Sequence, residues 1–435
     1  MAPMSRSLMS IAKLLTLGVA LTLSAPWATA LERAAPETLG LSPGQLKTLS
    51  SELQRRVAEK ELPGAVFLVA REGKIGAVQA VGLQDPAKGT PMREDSIFRI
   101  ASMTKPIVSV AAMMLVEQGR LALRDPVAKY LPEFASMRVA VEERDSEGKV
   151  SVRLEPVRTA MTVHDLFRHT SGLTYGTFDT SHVDKLVVET GVLASDQTLA
   201  EQITKLAKLP LKHQPGSTFD YSLSTDVLAR IVEVVSGQEL DQFIKQRITD
   251  PLKMVDTGFW VPAPHHGRIA FPQINPATGK PHFDRPVEAR PKRLNGGGGM
   301  VSTALDYVRF CQMLINGGEL DGVRLLSPKS VELMTSDHLP PSIRFTPRYY
   351  AARSVLTPMP DLGMGFGLGF AVRTAPGRSA LHGTVGEYWW SGSTGTNFVV
   401  DPKNKLILIL MTQQPDRLAD YMALMRNMGY PLLLR

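Results

Sequence analysis

The sequence predicts an α/β protein of the α+β type, a mainly antiparallel sheet flanked by helices, with a mostly helical inserted domain. Two observations carry this. Strand-like runs lie at both ends of the chain, at Gly64 to Leu68 and Ile75 to Val81, then at Gly367 to Val372, Thr396 to Val400 and Leu406 to Met411. Between them, from about Arg124 to Arg290, helical pieces alternate with proline-rich loops. A sheet built from both chain ends, interrupted by a helical excursion, accounts for that pattern. The expected division is 31–125 with 290–435 for the sheet domain and 126–289 for the insertion.

Ser42-Pro43 opens a helix, since Ser caps well and Pro suits the first helical position; Leu46, Leu49, Leu53 and Val57 continue it. The first two strand runs flank Arg71 to Lys74 and read as a hairpin. Ile107, Val110, Ala111, Met114 and Leu115 mark an apolar helix that stops at Gly119. Glu142 to Lys149 reads as a charged exposed turn. Gly296 to Gly299 has no Lys-Ser/Thr after it, so it reads as a turn and not as a phosphate cradle. Asp401 to Asn404 turns between the last two strands, and Gly429-Tyr430-Pro431 breaks a C-terminal helix.

Residues 1–30 read as a secretory signal peptide. Arg6 and Lys13 precede a short apolar run, Leu14 to Leu23, and Ala28-Thr29-Ala30 is a small-x-small cleavage site. The run is too short for a bilayer span. Cleavage after Ala30 predicts a periplasmic or secreted chain with no stable membrane span after processing. The formal net charge is +7, and losing Arg6 and Lys13 leaves 7 − 2 = +5. No Lys/Arg block accompanies that excess, which argues against a nucleic-acid partner. Cys311 is the only cysteine, so no intramolecular disulfide forms; its apolar helical surroundings make it a core residue. His265-His266 lacks further ligands at zinc spacing, and neither a metal nor a cofactor is expected.

Two serines stand in nucleophile contexts. Gly40-Leu41-Ser42-Pro43-Gly44 matches G-x-S-x-G, but no strand precedes Ser42 and its capping role explains it. Ser102-Met103-Thr104-Lys105 is the stronger candidate. A serine hydroxyl needs a nearby base, and residues three apart share a helix face. The N-terminal end of the helix favours negative charge on the attacking oxygen. Pro106 suits a first turn, where its missing N–H costs nothing.

Phe98 to Lys105 (FRIASMTK) resembles the nucleophile motif of class C β-lactamases, D-alanyl-D-alanine carboxypeptidases and family VIII carboxylesterases. Leu121 to Phe134, Thr162 to Leu173, Tyr221 to Leu223, Gly296 to Arg309 and Gly386 to Asp401 are similar to further segments of that superfamily, in its order. The resemblance implies the β-lactamase/transpeptidase-like fold. It implies Ser102 as the acylated serine, Lys105 as its partner and Tyr221 as the tyrosine of the second motif. A phenol titrates near about pH 10 and needs a cation beside it to act as a base. Trp390-Ser391-Gly392 takes the place of the third, K-T-G, motif, and the backbone N–H groups of Ser102 and Ser393 would form the oxyanion hole. Leu223 replaces the second-motif Asn and Trp390 the third-motif Lys, both assigned here to substrate binding with Ser391 and Gly392. A Trp-x-Gly third motif is similar to that of family VIII carboxylesterases. The expectation is therefore a serine hydrolase of short-chain carboxylic esters acting on a small-molecule substrate, with β-lactam, D-Ala-D-Ala peptide or amide hydrolysis as the alternative. His382 precedes the third motif and reads as cleft-lining or structural; His164 and His169 read as packing and turn residues.

Overall fold

The computed structural model describes residues 31–147, 150–275, 278–352 and 357–434; the leader and its cleavage site lie outside them. An eight-stranded sheet uses β1 (Gly64–Arg71), β2 (Lys74–Asp85), β3 (Thr90–Pro91), β4 (Met364–Phe366), β5 (Ala371–Arg373), β6 (Tyr388–Gly392), β7 (Thr396–Asp401) and β8 (Leu406–Thr412). Their spatial order is β4-β5-β6-β7-β8-β1-β2-β3, and every neighbouring pair is antiparallel. The two chain ends meet where β1 pairs with β8, Phe67 opposite Leu410. All seven residues of β8 are buried, so both faces of the sheet centre are covered. Helices α1 (Pro43–Ala58), α4 (Ala304–Ile315) and α5 (Leu418–Gly429) pack on it. Ser42 caps α1 by accepting from the Gln45 N–H at 3.2 Å, as its sequence context predicts.

The helices Val163–Phe167, Leu199–Leu206 and Leu240–Ile244 gather around α3 (Ser224–Ser236), which packs against α2 (Thr104–Glu117). Every residue of α2 from Thr104 to Leu115 is buried. A helix apolar on all sides is one enclosed on all sides, and here it sits between the sheet and the helical group.

Two local expectations differ from the structure. The expected strand from Gly367 to Val372 is instead two short strands, β4 and β5, around a turn. Gly369 holds φ +101°, and a Cβ on Gly367 would lie 2.2 Å from the Met334 carbonyl oxygen, so this backbone bends where an apolar run alone suggests extension. Of the charged turn expected from Glu142 to Lys149, Glu142 to Arg144 are instead strand, the end of Arg138–Arg144 paired with Val150–Pro156, and residues 148 and 149 lie outside the described residues. These strands carry many charges because Val150 to Glu155 is largely exposed, which hides the alternation that marks a half-buried strand.

Candidate active site

The turn that carries Ser102 is strained and heavily tied. Ala101 holds φ +43°, unfavourable for a residue with a Cβ, one position before the serine. Strain of this kind persists only where neighbours over-determine the backbone. Here Thr394 Oγ1 donates to the Arg99 carbonyl at 2.6 Å, and Thr396 Oγ1 to the Ile100 carbonyl at 3.2 Å. The Ile100 N–H donates to the Met300 carbonyl, Thr104 Oγ1 accepts from the Met300 N–H, and Tyr307 OH donates to the Met103 carbonyl at 2.9 Å. Ser102 sits in a short 3₁₀ turn, Ala101–Met103, and Lys105 in the first turn of α2.

Lys105 is 1% exposed, and its Nζ reaches three oxygens: Ser102 Oγ at 3.4 Å, Tyr175 OH at 2.8 Å and the Gly297 carbonyl at 2.5 Å. Nζ also lies 4.6 Å from the centre of the Tyr221 ring. Lys105 thus meets Tyr221 through the ring face, and the Tyr221 hydroxyl accepts instead from Trp390 Nε1 at 3.2 Å. Burial pushes the Tyr175 phenol well above its usual range, with the Tyr221 and Asp226 charges adding to the shift, so Tyr175 stays protonated. Behind Tyr221, the buried His169 ring stands 4.6 Å away; burial first and the Lys105 charge second hold it neutral.

Tyr175 and Gly297 were not singled out from sequence. Tyr175 follows the Thr162 to Leu173 block by two residues, in a segment that reads as turn structure. Gly297 belongs to the glycine run, whose role is close approach: a Cβ there would fall 2.4 Å from Asp226 Oδ2 and 2.8 Å from Tyr175 OH. That packing need is the physical reason for glycine, and it delivers a carbonyl to Lys105.

Strand β6 forms another wall. Trp390 and Ser391 line a cavity of about 660 Å³ together with Ser102, Tyr175, Tyr221 and Ser393. Ser391 Oγ donates to Asn397 Oδ1 at 2.7 Å. Gly392 does not line the cavity; a Cβ there would sit 2.2 Å from the Ile100 carbonyl oxygen, so this glycine lets β6 close on the turn that carries Ser102. Ser393 is in the turn after β6, which Thr394 and Thr396 bind to the backbone before Ser102. Phe178, Phe219, Tyr349, Pro358 and Trp389 make most of the remaining surface apolar.

Leu223 is a correction. Its side chain is 1% exposed, buried in the core at the start of α3, and it does not line the cavity. The chain turns into α3 immediately after Tyr221, which sends Leu223 away from the cleft. His382 likewise stands outside it, its Nδ1 3.0 Å from Asn427 Oδ1 at the surface. Cys311 is buried in α4, and burial pushes its thiol well above the usual range, which leaves it unreactive.

The family model for Beta-lactamase matches residues 49–428. The chain belongs to the beta-lactamase family. Within curated relatives, this beta-lactamase-family chain is 38% identical over 371 residues to Protein Rv1367c of Mycobacterium tuberculosis, covering 82% of this chain and 88% of that one. It is 33% identical over 385 residues to Esterase EstB of Burkholderia gladioli, covering 84% and 89%. Among solved structures, EstCE1, described as a hydrolase with promiscuous acyltransferase activity, matches with a TM-score of 0.73 at 24% identity, covering 89% of this chain and 99% of that one. The beta-lactamase-family fold and the esterase relative make this protein a serine hydrolase.

Proposed function

We propose that this hydrolase cleaves carboxylic esters with short acyl chains through an acyl-enzyme on Ser102. Ser102 Oγ attacks the ester carbonyl carbon, and its proton passes to the Lys105–Tyr221 pair. The carbonyl oxygen gains charge between the N–H groups of Ser102 and Ser393. As the tetrahedral intermediate collapses, the alcohol leaves with the proton returned from the pair. Water then attacks the acyl carbon, the pair again takes and returns a proton, and the carboxylic acid departs. Lys105 carries this reading, because its Nζ touches both the nucleophile oxygen and the tyrosine face.

The ester preference rests on Trp390, an indole in the wall where the third motif of lactamases places a cation. Its N–H is engaged by Tyr221, so at the third-motif position itself a β-lactam carboxylate finds no free donor. The esterase relative supports the same reading. The test compares kcat/KM for p-nitrophenyl butyrate with that for a chromogenic cephalosporin. Ester turnover far ahead of the lactam is expected, and equal turnover overturns the preference. Export follows from the leader, and the mature chain is proposed to begin at Leu31 in the periplasm or medium; a mature mass retaining Met1 or Ala2 contradicts it.

A further inference from the structure

We infer that the cavity is built for esters whose non-reacting part carries a carboxylate, held by Arg285. This rests on the ester reading of the same site and specifies its substrate class.

Arg285 lines the same cavity as Ser102, Tyr221 and Trp390. Its Nη2 is shut off from solvent and meets no hydrogen-bond partner among the described residues, and no carboxylate among them lies within ion-pair distance of it. The residue as a whole is half-buried, and a charge withdrawn from water is costly unless paired. The other cavity-lining arginine is different. Arg348 Nη2 donates to Asp220 Oδ1 at 2.8 Å and to Tyr349 OH at 2.6 Å, and its guanidinium lies over the Phe178 ring at 4.8 Å. Arg348 Nε is also without a partner, but its guanidinium is paired with Asp220, whereas Arg285 is left as the cavity-lining arginine without a counter-charge among the described residues.

The surroundings of Arg285 reinforce this. Its main-chain carbonyl accepts from Arg99 Nε at 2.6 Å, which fixes the loop against the strand leading to Ser102. Burial, together with the Arg99 and Arg293 charges, pulls its guanidinium down to about 10. The carboxylates nearby serve the neighbours: Asp284 and Glu288 act on Arg99, and Asp226 on Arg293. An incoming carboxylate would relieve repulsion among three cations and pair with a planar fork of donors. The cavity has room for this. At about 660 Å³ it exceeds what a short acyl group fills, and it falls in the range of pockets that enclose a whole small molecule.

The experiment compares matched esters that differ only in charge: mono-p-nitrophenyl adipate against its adipamide, and 4-acetoxybenzoate against 4-acetoxybenzamide. These place the carboxylate on the acyl and alcohol sides in turn. Wild-type kcat/KM is expected to favour the carboxylate of at least one pair by about tenfold or more, the scale of a hydrogen bond to a charged group. Arg285→Gln should bring that ratio to near one, and Arg285→Lys should keep part of it. No preference in either pair, or a preference that survives Arg285→Gln, overturns the inference. Thermal shift with benzoate and benzamide as ligands separates it from the ester reading. If no ester is turned over but benzoate alone stabilises wild type, and not Arg285→Gln, the anion site stands while the reaction fails. If benzoate and benzamide behave alike in both proteins, the anion site fails whatever the reaction.

Discussion

Replacing Gly392 with Ala tests whether the spacing between β6 and the Ser102 turn sets the rate. The new Cβ would stand 2.2 Å from the Ile100 carbonyl oxygen and 2.2 Å from Thr396 Oγ1. Ordinary contact begins at 3.4 Å, so something must yield by 3.4 − 2.2 = 1.2 Å. The Ile100 carbonyl is held by Thr396 and lies two residues before Ser102, so the yielding moves Ser102 relative to Ser393. A misplacement of about 1 Å costs about a hundredfold in rate, or about 2.7 kcal/mol of barrier. The expected result is that loss in kcat for p-nitrophenyl butyrate, with KM changed much less. Gly267→Ala is the control, because a Cβ there meets nothing within 4 Å. Circular dichroism and thermal melting show whether the variant is folded. A folded Gly392→Ala within threefold of wild-type kcat refutes the reasoning.

Four further substitutions test the surrounding assignments. Tyr221→Phe should lower kcat by about 10²–10⁴ as a proton-transfer group, and Tyr175→Phe by less, since it removes only an acceptor that holds Lys105; a larger loss in Tyr175→Phe reverses the two assignments. Leu223→Asn should destabilise the fold by about 1–3 kcal/mol in denaturant titration, because it buries an amide in the core; improved cephalosporin turnover in this variant contradicts the burial of Leu223. The fourth, His164→Gln, concerns acid stability. Burial first, then Arg168 and His338, lowers His164 from 6.5 to about 4, with Asp165 opposing. The unfolded chain therefore binds more protons between those values, and stability is full above pH 6.5 and falls as pH drops toward about 4. A fully buried ring would contribute about 3 kcal/mol; this one is half-buried, so about 1–2 kcal/mol is expected after solvent screening. His164→Gln should flatten that slope in urea melts at pH 7 and pH 4.5, and an unchanged slope contradicts the assignment.

Periodicity and turn chemistry made much of the fold legible. The Arg71 to Lys74 turn, the Ser42 cap and the β7–β8 turn are all local features, and all occur in the structure. The bend at Gly367 to Phe370 was not legible, because its cause is non-local: the Met334 carbonyl occupies the space where a side chain would go. The site followed the same division. Ser102 and Lys105 are neighbours in sequence, and their pairing is a helical spacing. Tyr175 and Gly297 reach Lys105 from segments 70 and 192 residues away. Nothing local distinguishes that tyrosine from a packing residue or that glycine from a turn. Leu223 shows the converse. A motif position names the residue, but the direction of its side chain depends on how the chain enters α3.

Covalent labelling tests the central claim most directly. The protein is treated with a p-nitrophenyl alkylphosphonate, digested, and the modified peptide mapped by mass spectrometry, in wild type, Ser102→Ala and Ser42→Ala. The account predicts one adduct on Ser102, lost together with ester turnover in Ser102→Ala and retained in Ser42→Ala. An adduct on any other residue, or turnover that survives in Ser102→Ala, contradicts it.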